Sequence, residues 1–477
     1  MALFLAVDLG TTGCRSILFN EKLLPIGSSY EEYGLITTKE NYIEQDAELW
    51  WTLTLQTAKA AIAETGIDPK EIRGISISSQ GITIVPVDKD CKPLCNAISW
   101  LDARCEEEIE QIRAHYSAEV ITANTGKPLH PYYTLPKILW LQKHEPDLIE
   151  KADKLLMPLD FLIARFTGKA VTDHSMACGT LFYNVNQQCW WEEVLDLFHI
   201  NKDQLPALGW AGEPIGPVLP EVAEELGLCP DCIVALGAQD QKCAALAAGL
   251  DADTVTVSLG TAGAVSQLHP GGTAATRGKC SYIMPGAWVT EGVINTAGTC
   301  LRYIRDLFYK NEPYRLIDEE AEQALKDGRE LFFYPYMSGP SDPDHYKDST
   351  GCFYGINLAS KRGDYALAVM EGIACQIRII LEAMNSYGSI KDMVVFGGAA
   401  KSDLWCRIIA DITGITVCVP STAEAAGAGA AMLAAKGAGM DLAPLQIAKT
   451  YPPSAEREEW YARYRAIEKK LFAEETK

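Results

Sequence analysis

The stretch "DLGTTG", Asp8 to Gly13, returns in altered form as "SLGTAG", Ser258 to Gly263. Each copy joins two apolar runs, "LFLAV" to "CRSILF" and "TVTV" to "AVSQL", and so reads as a β-hairpin. The first copy opens a stretch that mixes strands and helices, and the second opens another, which calls for an α/β chain with two related halves. At 477 residues the chain exceeds what one core usually supports. The expected domains are residues 1–248 and 249–477, the second ending in a polar helical appendage from about Leu442.

A glycine-rich turn lets several backbone N–H groups converge on one anion with no Cβ in the way, and threonine hydroxyls add donors. Two such hairpins, one per domain, suggest a clamp on a polyphosphate. Neither is a P-loop, because GxxxxGK[ST] is absent from the chain. Asp8 becomes Ser258 in the second copy. Nucleotide phosphates bring Mg²⁺, which needs only one or two carboxylates, so a single acid suffices. Arg15 is placed to add positive charge to a phosphoryl group in transfer.

The bulk numbers mainly exclude. Apolar residues make up 48% and charged residues 22%, as in an ordinary globular protein. A net charge of −21 argues against a nucleic-acid or anionic membrane partner. No run approaches the roughly 20 apolar residues of a membrane span, and "MALFLAV" lacks the features of a signal peptide. Fifteen cysteines, an odd number with one isolated CxxC at Cys229–Cys232, suit a reducing cytoplasm better than disulfides or zinc.

"GAQDQKCAAL" places Asp240 after a strand and at the head of a small-residue helix. Aspartate there caps a helix, and it also suits a general base for an attacking hydroxyl. Elsewhere, "SSQG" and "WLDAR" offer Gln80, Asp102 and Arg104 as donors and acceptors for a polyol. "YIEQDAELWW" predicts a helix capped by Asp46 and closed by Gly66, and "RGISISSQGITIVPVDKDCKPLCNAISW" alternates like paired strands, with turn chemistry at Asp88 to Pro93. "STAEAAGAG" suggests a capping box of Ser421 with Glu424.

From Asp8 to about Ala435 the chain resembles the FGGY family of carbohydrate kinases, within the actin-like ATPase superfamily. The resemblance is carried by "DLGTTGCR", "YIEQDAELWW", "WLDAR", "PYYTLPKILWLQKH", "GAQDQ", "LGTAG", "GCFYGINLASKRGDYALAVMEG" and "GGAAKSDLW", in that family's motif set. It implies two actin-like (ribonuclease H-like) domains, each a mixed β-sheet flanked by helices, with the active site in the interdomain cleft. It implies transfer of the γ-phosphoryl group of ATP, with Mg²⁺, to a sugar or polyol hydroxyl. By this resemblance Asp240 is the base and Asp8 serves the metal. Thr11, Thr12, Arg15, Gly260 and Thr261 hold phosphates, with Gly298 on the nucleotide side. Gly398, Ala399 and Ser402 face adenine and ribose. Gln80, Asp102, Arg104, Tyr132, Asp240 and Gln241 line the sugar pocket, and a homodimer is the common assembly.

The chain departs from the family after Gln80. Gly81 and Ile82 stand where glycerol kinases carry Arg-Glu and xylulokinases Met-His, so that wall is expected to be roomier and less polar. "MSGPSDPDHY" replaces the usual "SGER" segment. The expected acceptor is a short ketose, aldose or polyol, nearest to a pentulose. The competing readings are an actin-like ATPase without a small substrate, a silent sugar sensor, and a kinase of another polyol or carbohydrate-like signal. "SSQG", "WLDAR" and "GAQDQ" count against the ATPase, and the pairing of Asp8 with Asp240 counts against the sensor.

Overall fold

The computed structural model describes residues 2–271, 276–310, 312–328, 330–339, 341–343, 349–384, 390–455 and 457–472. They form two compact units. One comprises Met1–Ala247, His269–Val289 and Glu424–Leu445; the other comprises Ala248–Leu268, Thr290–Ala423 and Gln446–Lys477.

The sheet of the first unit runs in the order Pro214–Pro217, Ile233–Ala235, Ile72–Ser79, Leu3–Leu9, Gly13–Asn20, Pro25–Glu32. Leu3–Leu9 and Gly13–Asn20 form the expected antiparallel hairpin. Ile72–Ser79 lies parallel to Leu3–Leu9, and Ile233–Ala235 lies parallel to Ile72–Ser79. Up to Asp8 the strand Leu3–Leu9 is apolar on both faces, as a central strand covered by helices requires, with Phe4, Leu5, Ala6 and Val7 fully buried; Ile72–Ser79 buries Ile75 and Ile77 on one face and Ser76 and Ser78 on the other. The helix Ala47–Thr65 covers the sheet with Trp50, Ala58 and Ala61 fully buried. It starts as the sequence predicts: Asp46 accepts from the N–H of Glu48 and Leu49, and Gly66 closes it with φ of 66°.

The second unit repeats this plan. Its sheet runs through Ala287–Ile294, Gly263–Pro270, Thr254–Leu259, Asp392–Phe396, Thr416–Pro420 and Ile447–Tyr451. Again an antiparallel hairpin, Thr254–Leu259 with Gly263–Pro270, feeds two parallel strands and an antiparallel edge. The duplicated turn therefore marks a duplicated strand arrangement. The long helix Arg362–Ala383 fills the core beside it, with Met370, Ile373, Ala374 and Ile377 buried completely.

The turn expected at Asp88 to Pro93 forms, with antiparallel bridges from Val87 to Pro93 and from Ile84 to Ile98, while Ile72–Ser79 takes parallel partners and Val85–Val87 also pairs with Lys154–Leu156. Two other local expectations change. No capping box forms at Ser421: the helix Ala425–Gly437 begins after Glu424, whose carboxylate is taken by Arg15 at 2.7 Å. The last stretch, expected as a polar helical appendage, does hold the helix Glu458–Phe472, but it also supplies the sheet edge Ile447–Tyr451 and buries Tyr461, Tyr464 and Glu468.

Candidate active site

Strand register brings the first unit's candidate residues to one end of its sheet. Asp8 lies opposite Ser78, and Ser78 opposite Ala238; Leu9 lies opposite Ser79, and Ser79 opposite Gln239. Asp8, Gln80 and Asp240 therefore leave three adjacent parallel strands together, at their carboxyl ends, where open α/β sheets bind ligands. Gly237 makes the approach possible, because a Cβ there would stand 1.7 Å from the carbonyl oxygen of Ile77.

The first hairpin turn is fastened through its carbonyls. Gly10 O accepts from the Tyr33 hydroxyl, Thr11 O from Gln45 Nε2 at 2.6 Å, Thr12 O from Tyr33 N at 3.0 Å, and Gly13 O from Gly10 N at 2.9 Å. Tying down the negative ends of these peptide dipoles suits a turn that meets an anion through its amides. Trp100 Nε1 donates to Thr11 Oγ1 at 2.9 Å, so that hydroxyl keeps its own proton to donate. Thr12 is exposed. Arg15 lies over the Tyr30 ring and pairs with Glu424.

Asp8 accepts from Ser78 Oγ at 2.9 Å. Loss of water around its carboxyl pushes the pKa up to about 6, against the opposing effect of the Ser78 hydroxyl; the Glu424 charge adds to the rise. Asp240 is the first residue of the helix Asp240–Ala247, at the end where the helix dipole favours negative charge. Its Oδ1 accepts from Gln241 N at 2.7 Å and from Gln239 Nε2 at 2.6 Å.

The sugar-pocket candidates divide into two groups. Gln80 is 3% exposed; its Nε2 donates to Gln45 Oε1 at 3.0 Å, while its Oε1 has no partner among the described residues. A buried amide oxygen left open is what a ligand hydroxyl would satisfy. Tyr132 stacks near His130 and Tyr133, with ring centroids 4.1 and 4.4 Å away. Gln241 is half-buried beside Asp240. Asp102 and Arg104, by contrast, are committed to each other. Arg104 Nη2 lies 2.7 Å from Asp102 and 2.8 Å from Glu44, its guanidinium packs on Tyr42 and Trp140, and Asp102 also accepts from Ile43 N. This pair braces the strand Tyr42–Gln45, whose last residue holds both Gln80 and the Thr11 carbonyl.

Sequence reasoning missed several supports. Gln45, Trp100 and Glu424 give no local signal of these contacts, because each acts on a residue brought near only by the fold, and Gln239, though next to Asp240 in the chain, shows its role only in the side-chain bond. Lys137, buried in the helix Thr134–His144, donates to the carbonyls of Tyr132 and Tyr133 and so fixes the loop bearing Tyr132. The wall beside Gly81 is also less bare than expected, since the side chain of Gln239 packs there.

In the second unit, Gly260, Thr261, Gly298, Gly398, Ala399 and Ser402 all line one cavity of about 790 Å³. Here too the turn carbonyls are occupied. Gly298 N donates to Gly260 O at 2.9 Å, Ala297 N and Thr299 Oγ1 donate to Thr261 O, both at 3.0 Å, and Gly260 N donates to Ala262 O at 3.0 Å. Ser402 caps the helix Asp403–Thr413, accepting from Trp405 N at 3.1 Å. The cavity is wide enough for a drug-sized ligand and mixes backbone, apolar and charged lining. Of the segment that replaces "SGER", Pro340 and residues 344–346 lie outside the described residues. Cys229 and Cys232 are free thiols, and the described residues hold no cluster suited to a metal ion of three or more His, Cys, Asp or Glu groups. No described helix is long and apolar enough to cross a membrane.

Comparison with known proteins supplies the chemistry that geometry leaves open. Residues 3–247 match the N-terminal domain of the FGGY family of carbohydrate kinases, and residues 255–438 match its C-terminal domain. The xylulose kinase of Bacillus subtilis is 30% identical over 92% of this chain and 89% of its own. That of Escherichia coli is 31% identical over 86% and 85%. Among solved structures, a "xyloylose kinase" from Brucella ovis superposes with a TM-score of 0.89 at 28% identity, over 99% of this chain and 100% of its own. Together with the paired sheets and their matched hairpins, these findings establish that the chain belongs to the FGGY family of carbohydrate kinases and is a sugar kinase.

Proposed function

We propose that this kinase transfers the γ-phosphoryl group of ATP to a hydroxyl of a ketopentose of the xylulose type, with Asp240 as general base. The observation that carries the reading is the register that delivers Asp8, Gln80 and Asp240 side by side from three parallel strands. The xylulose kinases among the relatives support the acceptor class.

Phosphoryl transfer asks a protein mainly for positioning and charge stabilisation. Asp240 takes the proton of the attacking hydroxyl, while its Oδ1 stays bonded to the start of its own helix. Gln80 offers its open Oε1 to another acceptor hydroxyl, and Tyr132 and Gln241 complete that wall. Asp102 and Arg104 act through the strand they brace. In the second unit, Ser402, Ala399 and Gly398 would receive the nucleoside and the Gly260–Thr261 turn its phosphates; at Gly298 a Cβ would reach within 2.5 Å of Gly260 O, so the cradle has no room for a side chain. The Thr11–Thr12 turn and Arg15 add donors on the first unit. Mg²⁺ suits the hard carboxylate of Asp8, and once bound with ATP it would neutralise charge on the phosphates.

A coupled ADP-release assay over D-xylulose, D-ribulose, glycerol, D-gluconate and aldopentoses tests the acceptor. D-xylulose is expected to give the highest kcat/KM. A tenfold preference for any of the others would displace the pentulose reading while leaving the kinase intact.

A further inference from the structure

Gln239 stands immediately before the proposed base and is bonded to it. Its Nε2 donates to Asp240 Oδ1 at 2.6 Å, on the same oxygen that accepts from Gln241 N. Two donors on one oxygen hold the plane of the carboxylate. The amide of Gln239 has two ends that differ in chemistry, and only one of its two flips offers N–H to Asp240. Lys242 selects that flip. Its Nζ lies 3.5 Å from Gln239 Oε1, and the lysine is 2% exposed, so its charge acts with little screening by water.

The backbone of Gln239 is anchored as well. Its N–H donates to Ser175 Oγ at 3.1 Å, and Ser175 N in turn donates to Asp173 Oδ2 at 2.8 Å. The side-chain stem packs beside Gly81, Gln239 Cγ lying 3.7 Å from where a Cβ on that glycine would stand, an ordinary van der Waals contact.

We infer that Gln239, aligned by Lys242, is a positioning residue for Asp240, holding Oδ1 so that the carboxylate meets the acceptor hydroxyl in one orientation. The inference rests on the reading of Asp240 as base. Small misplacement of a catalytic group is costly, up to about a hundredfold per ångström. A merely structural bond at a helix start would affect stability and leave turnover alone.

The test uses the full chain with ATP and D-xylulose, comparing wild type with Gln239→Leu, Lys242→Met, the double variant and Asp240→Asn. Gln239→Leu is expected to lower kcat about tenfold while both KM values stay within about twofold. Lys242→Met is expected to lower kcat several-fold, and the double variant to be no slower than Gln239→Leu, because the lysine acts through the amide. Gln239→Glu keeps the shape but not the donor; it is expected to be at least as slow, and it gives the same reading if the leucine variant fails to fold. A kcat within twofold of wild type in a folded Gln239 variant, beside an inactive Asp240→Asn, overturns the inference alone. Additive losses in the double variant overturn the role of Lys242. Near-normal turnover by Asp240→Asn instead removes the base assignment, and this inference falls with it.

Discussion

A methyl group on residue 298 would stand 2.5 Å from the carbonyl oxygen of Gly260, whereas one on Gly260 itself meets only the carbonyl oxygen of Ala262, at 3.8 Å. Two glycines in one cradle thus carry different constraints. Gly298→Ala should cost about 1–3 kcal/mol of stability and raise the KM for ATP about tenfold with the acceptor KM nearly unchanged. Gly260→Ala should stay within about 0.5 kcal/mol of wild type in a urea titration; equal losses in both would refute the steric account. His174 offers a pH-dependent case. It stacks on Trp210 with centroids 3.8 Å apart, its Nδ1 lies 2.7 Å from the Tyr183 hydroxyl, and burial pushes its pKa down to about 4. The unfolded chain takes up that proton near pH 6.5 and the folded chain only near 4, so this histidine's contribution is lost as pH falls through that window. Relative to His174→Gln, wild type should lose stability between pH 7 and 4.5 in denaturant midpoints. A constant difference would show that the ring is not held neutral.

The C-terminal helix shows what an element's sequence can hide. Glu458–Phe472 carries charges along most of its length, yet Tyr464 is fully buried, its hydroxyl donating to Phe333 O at 3.1 Å while its own carbonyl accepts from the Tyr334 hydroxyl at 2.9 Å. Tyr464→Ala is predicted to destabilise by about 3–5 kcal/mol and Tyr464→Phe by about 1 kcal/mol, both read from chemical denaturation. A small loss in the alanine variant would mean the helix is dispensable after all. The hairpins were legible because a tight turn and its alternating strands are written in consecutive residues. Asp46 and Gly66 were legible for the same reason. The capping box was misread because Glu424 answers to Arg15, 409 residues away, rather than to its own helix. The turn at Asp88 to Pro93 was legible, whereas the partners of Ile72–Ser79 were not, because parallel pairing leaves no trace in a local turn.

At the level of the molecule, two units of matched topology carry different side chains at their candidate sites. One bears the carboxylates Asp8 and Asp240; the other bears a cavity lined by Gly298, Gly398 and Ser402, with Ser258 in the place that corresponds to Asp8. The residue types at the candidate site were readable from motifs. Their division of labour was not, because only the fold shows Arg104 engaged with Asp102 and Glu44, or Gln80 left with an open oxygen. The most direct test of this account is sugar-dependent ADP release by Asp240→Asn beside wild type, with ATP affinity measured on the same preparations. The account predicts a fall in kcat on the order of 10²–10⁴-fold with the Kd for ATP within about threefold. Turnover within tenfold of wild type would contradict it.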